Sequence, residues 1–168
     1  GGVGHAAVQI AAAVSARVHT TARSEYHDDL HALGADTILD YTRHDLEDAV
    51  LDASGGGVDV TLDHRLDDYL QFDADVAAQN GRVVGIGENS PDPGFTNDGA
   101  ARSKDVTYQF MSMFNTPDLR VPLRGVAHLM STGDLSIELA RTYDLDEAGE
   151  AQRAVLEDSF FGKLVITP

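Results

Sequence analysis

The amino-acid sequence predicts an α/β fold, a doubly wound parallel sheet with helices on both faces. Three observations predict it. A glycine turn, Gly1-Gly2-Val3-Gly4, runs directly into a helix of apolar spacing. Short β-branched segments then alternate with amphipathic ones across most of the chain, joined by few residues, as parallel strands with right-handed crossovers require. Finally, 168 residues with a hydrophobic share of 42% suffice for one well-cored α/β domain.

The elements follow in order. Val3 to Val14 reads as the first helix, and Arg17 to Ala22 as a short strand. Glu25 to Leu33 is helical, with Gly34 where a helix-ending glycine belongs. Thr37 to Asp40 is a strand, Asp45 to Ala53 a helix ending in Ser54-Gly55-Gly56-Gly57, and Val58 to Leu62 a strand. Leu66 to Gln79 reads as a helix stopped by Asn80-Gly81, before the strand Arg82 to Ile86. Gly87 to Ser103 is a loop rich in Gly, Pro, Asn and Asp. Val106 to Phe114 then reads as a strand with large apolar residues on both faces. Leu119 to Met130 is helical, Leu139 to Tyr143 extended, Asp146 to Glu157 helical with Asp144 or Asp146 as cap, and Lys163 to Ile166 a closing strand. The strand that should deliver the glycine turn is expected upstream of Gly1. The chain therefore reads as one dinucleotide-binding domain with a C-terminal extension.

The glycine turn has a chemical reading. Glycines let the backbone approach a pyrophosphate, and the free N–H groups of a helix start face its charge. A Gly-x-x-Gly alone is usually only a turn; one that opens a helix and precedes a strand carries more weight. An NAD site places Asp or Glu at the end of that strand, on the ribose 2′-hydroxyl. This chain has Ala22-Arg23-Ser24 there. A guanidinium and a hydroxyl bind a 2′-phosphate by charge-assisted hydrogen bonds, so the expected cofactor is NADP(H). Glu25, one residue on, is expected to cap the following helix.

Composition narrows the partners. The chain carries 28 acidic against 12 basic residues, a net charge of −16, and Lys104 and Lys163 are its only lysines. Such a surface stays hydrated when salt screens charge, the pattern expected of a salt-loving organism. It argues against nucleic acid and anionic membranes, which need clustered Lys and Arg. No apolar run approaches the ~18 residues of a membrane span, and a cytoplasmic location is expected. No cysteine is present, so there is neither a disulfide nor a thiolate metal site within the chain. His27 and His31 have metal-capable spacing but no third ligand, and read as a solvated helix face; no metal site is expected.

With these residues in view, the chain resembles the medium-chain dehydrogenase/reductase superfamily, and within it the zinc-independent NADPH:quinone oxidoreductases similar to zeta-crystallin. Four stretches carry the resemblance in order: Gly1 to Ala11, Leu33-Gly-Ala-Asp-Thr-Ile-Leu-Asp-Tyr41, Asn80-Gly-Arg-Val-Val-Gly-Ile-Gly87, and Glu150 to Glu157 followed by Gly162-Lys-Leu-Val-Ile166. The resemblance implies that Gly1, Gly2, Val3 and Gly4 form the pyrophosphate turn. It implies that Arg23, Ser24 and Tyr41 surround the 2′-phosphate, that Gly87 and Asn89 lie by the nicotinamide ribose, and that Lys163 reaches toward the cofactor. It further implies hydride transfer to a quinone, carbonyl or enone, an N-terminal catalytic domain outside this chain, and a homodimer through the Val106–Phe114 edge strand. The fragment alone is then expected to be inactive, and no catalytic residue is assigned within it. Where relatives carry a small residue after the third full strand, this chain has His64-Arg65-Leu66, which puts that contact in doubt. Two other readings stand beside this one: a zinc-dependent alcohol or polyol dehydrogenase of the same superfamily, and a non-catalytic NADP(H)-binding module.

Overall fold

Helix α1 covers Gly2–Ala13 and β1 His19–Thr21; a 3-10 turn at Ser24–Tyr26 leads into α2 (His27–Ala32) and β2 (Thr37–Leu39). There follow α3 (Leu46–Ser54), β3 (Val58–Asp63), α4 (Leu66–Val76), β4 (Ala77–Gly85), α5 (Gly99–Ser103) and β5 (Thr107–Phe110). After a 3-10 turn at Met113–Asn115 come α6 (Arg120–Thr132), β6 (Leu139–Asp144), α7 (Ala148–Glu157) and β7 (Lys163–Thr167). The structure is a computed structural model and describes residues 1–168. They gather into two units, residues 1–38 with 120–168, and residues 39–119. The expected α/β architecture with parallel strand pairs is present.

In the first unit β1 pairs with β2, and β6 pairs in parallel with β7. Its core is Val8, Val18, Leu30 and Ala35, with Tyr26 and Phe161 packed against it. Val8 comes from the apolar stripe of α1. Gly34 ends α2 at φ +99°, and a Cβ there would lie 2.7 Å from the Cβ of Ala12, so glycine is required twice over.

In the second unit β3, β4 and β5 form a parallel sheet in that order. Thr61, Val83 and Tyr108 form one row across it, and Asp63, Gly85 and Phe110 the next but one, on the same face. Helix α4 lays Leu66 on that face: a Cβ on Gly85 would meet Leu66 Cδ1 at 2.5 Å. A second cluster, Leu46, Val50 and Val76, fills the space around α3 and α4.

Several boundaries differ from expectation. The helix expected to run to Gln79 ends at Val76, and β4 begins at Ala77, which pairs with Val58. Ala and Gln favour helix locally, but a distant residue ends it: Lys104 Nζ donates to the carbonyls of Ala74 at 3.2 Å and Asp75 at 2.7 Å. Asn80 then takes φ +61°, and the register jumps between Val58 and Val60. The strand expected over Val106–Phe114 is confined to Thr107–Phe110, because its partner β4 ends at Gly85 and leaves nothing further to pair. Ser103 and its neighbours, expected as loop, form the short α5 after Asn97 Oδ1 accepts the Gly99 N–H at 2.9 Å. The helix expected from Glu25 begins as a 3-10 turn, and Glu25 accepts from the Ser159 hydroxyl at 3.2 Å instead of capping.

Candidate functional site

The first unit builds a cationic, open helix start. Gly1 caps α1 without a side-chain hydrogen bond, and the first turn holds no acidic residue. The leading N–H groups lie at the positive end of the helix dipole. A Cβ on Gly1 or Gly4 would meet nothing within 4 Å, so the space over both is clear. Gly2 is different. A Cβ there would overlap the Lys163 stem and lie 2.8 Å from its ammonium nitrogen. Lys163 is the first residue of β7, held by its N–H to the Glu138 carbonyl at 2.8 Å. Its charge therefore rests at a helix end that already carries positive potential, and the two together favour an anion.

Two buried side chains brace this turn. His5 packs edge-on against Phe161, with ring centroids 6.3 Å apart. Gln9 donates to the Ser136 carbonyl at 3.1 Å and accepts from the Ser136 N–H at 2.8 Å and hydroxyl at 3.2 Å. Sequence reasoning missed Gln9 as a brace, since its partner lies 127 residues away. Arg23 and Ser24 stand exposed just past the end of β1, where the 3-10 turn begins with Tyr26 N–H bonded to the Arg23 carbonyl at 3.0 Å. His27 and His31 each place a ring nitrogen near a backbone carbonyl, of Ala22 at 3.2 Å and of Ala35 at 2.9 Å.

Tyr41, Gly87 and Asn89 belong to the second unit. Tyr41 is partly exposed in the turn after β2. Gly87 follows β4, and its hydrogen replaces a Cβ that would sit 3.0 Å from the His64 carbonyl oxygen. The His64-Arg65-Leu66 turn is thereby laced to it: Leu66 N–H donates to the Gly87 carbonyl at 3.1 Å, and Ile86 N–H to that of Asp63 at 2.8 Å. The Asn89 N–H donates to Asp67 at 3.0 Å, the main cause that holds the Asp67 carboxyl below its usual range. Beside Gly87 a cavity of about 330 Å³ is walled by Leu66, Ile86, Pro91, Pro93, Phe110 and Met111. Its place at the carboxyl ends of β4 and β5 is where open α/β sheets bind ligands.

One unit thus holds a clear glycine turn with a lysine over it, and the other a glycine-lined, mostly apolar cleft. The chain holds no cysteine, and no three of its His, Asp or Glu side chains come together as a metal site. No helix is long and apolar enough to cross a membrane.

Comparison with known proteins agrees with the fold. The chain is 28% identical over 174 residues to a phenolphthiocerol/phthiocerol polyketide synthase protein of Mycobacterium tuberculosis, covering 99% of this chain and 8% of that protein. It superposes on an NAD-dependent alcohol dehydrogenase with TM-score 0.89 at 29% identity, over 99% of this chain and 48% of the other. It superposes on the quinone oxidoreductase of Pseudomonas syringae pv. tomato with TM-score 0.84 at 26% identity, over 99% and 53%. The chain thus spans about half the length of these solved proteins and a small part of the synthase. Residues 33–166 match the model of the zinc-binding dehydrogenases, and the chain belongs to that family, within the medium-chain dehydrogenase/reductase superfamily.

Proposed function

We propose that this chain is the nucleotide-binding part of an NADPH-dependent oxidoreductase that reduces a quinone, carbonyl or enone. The single observation that carries the reading is Lys163 resting over Gly2 in the glycine turn that opens α1, where an ammonium and the helix dipole together favour a diphosphate. When bound, NADPH supplies the hydride. The chain's own residues bind and orient. Gly1, Gly2, Val3 and Gly4 offer backbone N–H groups and room, and Lys163 offsets the diphosphate charge. Arg23 and Ser24 hold the 2′-phosphate. Gly87 and Asn89 carry the nicotinamide side, and the mostly apolar walls of the cleft beside Gly87 suit a flat, uncharged acceptor. No side chain of this segment is assigned a proton-transfer role.

The titration that tests this compares NADPH with NADH by fluorescence on the full-length protein in molar salt. Preferential NADPH binding supports the reading. Preferential NADH binding favours the second reading, an NAD-linked alcohol dehydrogenase, which the superposition on such an enzyme motivates.

We also propose that two copies pair through β5. It is the last strand of its sheet, and Phe110, Met111, Met113 and Phe114, at its end and just past it, are all exposed. An apolar edge of this kind invites strand pairing. The double substitution Phe110→Asp, Phe114→Asp is expected to turn the dimer into monomer in light-scattering chromatography; a wild-type monomer refutes the pairing.

A further inference from the structure

Two buried carboxyls that the proposed reaction does not use meet in the second unit. Asp63 ends β3 and is 6% exposed; Asp73 lies on α4 and is 2% exposed. They are within hydrogen-bonding reach of each other. Asp63 Oδ1 accepts the Arg65 N–H at 2.7 Å, while Oδ2 of each residue is buried without a partner. The charged and titratable groups around them leave the pair uncompensated. Arg65 turns its guanidinium to Asp68, and Lys104 gives its ammonium to the Ala74 and Asp75 carbonyls. From β5, Tyr108 brings a buried hydroxyl with no partner, its pKa pushed up to about 12 by burial and then by Asp73 and Asp75. From β3, Thr61 adds another unpartnered hydroxyl. Two carboxylates in contact, out of water and without a cation, do not both stay ionised.

We propose that Asp73 is a protonated positioning residue: its carboxylic acid donates to Asp63, holds that carboxylate against the Arg65 N–H, and so fixes the turn laced to Gly87. The chain of contacts is short. Asp63 anchors Arg65 through its side chain and Ile86 through its carbonyl, and Leu66 closes on the Gly87 carbonyl. Burial, followed by the charge of Asp63, pushes Asp73 up to about 8. The sign follows. Between the ordinary aspartate range and about 8, the folded state holds a proton that the unfolded chain has lost. Stability therefore falls as pH rises through that window, and above it the turn loses its clamp. The inference takes from the proposed function only that the Gly87 turn belongs to the nucleotide site.

Hydrogen exchange on the full-length protein tests it, followed in segments 58–69 and 82–90 at pH 7 and pH 9 and scaled for intrinsic exchange. Wild type is expected to lose at least tenfold protection in both segments between the two pH values. Asp73→Asn, which still donates but does not titrate, is expected to keep it. Asp73→Leu, which cannot donate, is expected to be poorly protected at both. An Asn variant that follows the wild-type pH profile, or a Leu variant as protected as Asn, overturns the proposal. So does recovery of wild-type protection at pH 9 by potassium but not by choline, which would assign the pair to a cation. A parallel NADPH titration separates the two readings, since absent binding with the expected exchange profile refutes the nucleotide site alone.

Discussion

The ammonium of Lys163 lies where a side chain on Gly2 would begin, 2.8 Å from that Cβ position, though the two residues stand at opposite ends of the chain. Glycine leaves room for the lysine stem, and the lysine lies at the positive end of α1, where an anion gains from both. Lys163→Met is expected to weaken NADPH binding about tenfold, with the thermal midpoint little changed. Gly2→Ala is expected to weaken it as well, by displacing the lysine while leaving every charge in place. Calorimetric titration of the two variants checks this; unchanged affinity in both removes Lys163 from the site.

On the proposed reading, Arg23 is the residue expected to distinguish the two nucleotides. Removing one charge-assisted hydrogen bond costs roughly 1.5–3 kcal/mol, or about 10- to 150-fold. Arg23→Ala is expected to lose that factor for NADPH and to leave NADH almost unaffected, because only NADPH carries the 2′-phosphate. Equal losses for both nucleotides would place Arg23 elsewhere.

Gln9 satisfies both ends of its amide against Ser136 and the His5 carbonyl while 5% exposed. Gln9→Leu leaves the Ser136 N–H and carbonyl unpartnered there and is expected to cost about 1–3 kcal/mol. For a chain of this size that lowers the thermal midpoint by several degrees, roughly 2–4 °C per kcal/mol. Scanning calorimetry reads the shift, and an unchanged midpoint would show that water replaces the contact.

The net charge of −16 predicts a dependence on salt. Screening shortens from about 10 Å at 0.1 M to about 3 Å at 1 M, so repulsion among exposed carboxylates weakens with added salt. The thermal midpoint is expected to rise steadily from 0.1 to 2 M potassium chloride. A flat or falling curve counts against adaptation to high salt.

The order of strands and helices was legible in the sequence because it rests on local signals. The stripe of α1, the φ +99° glycine ending α2 and the β-branched run of β3 each need only neighbouring residues. The glycine turn and the Arg23-Ser24 pair were legible as candidates for the same reason, since spacing and charge suffice to single them out, whereas Lys163 entered only through the family resemblance. What the sequence did not show depends on contacts between distant residues. Lys104 ends α4 before Gln79 is reached, and Gly85 ends β4 and so shortens β5. Gln9 finds Ser136, and Lys163 finds Gly2. Asp73 is one of 28 acidic residues, and nothing in its sequence neighbours marks it out. Only folding put it at 2% exposure beside Asp63, because burial and the company of a second carboxylate are properties of packing, which no local pattern carries.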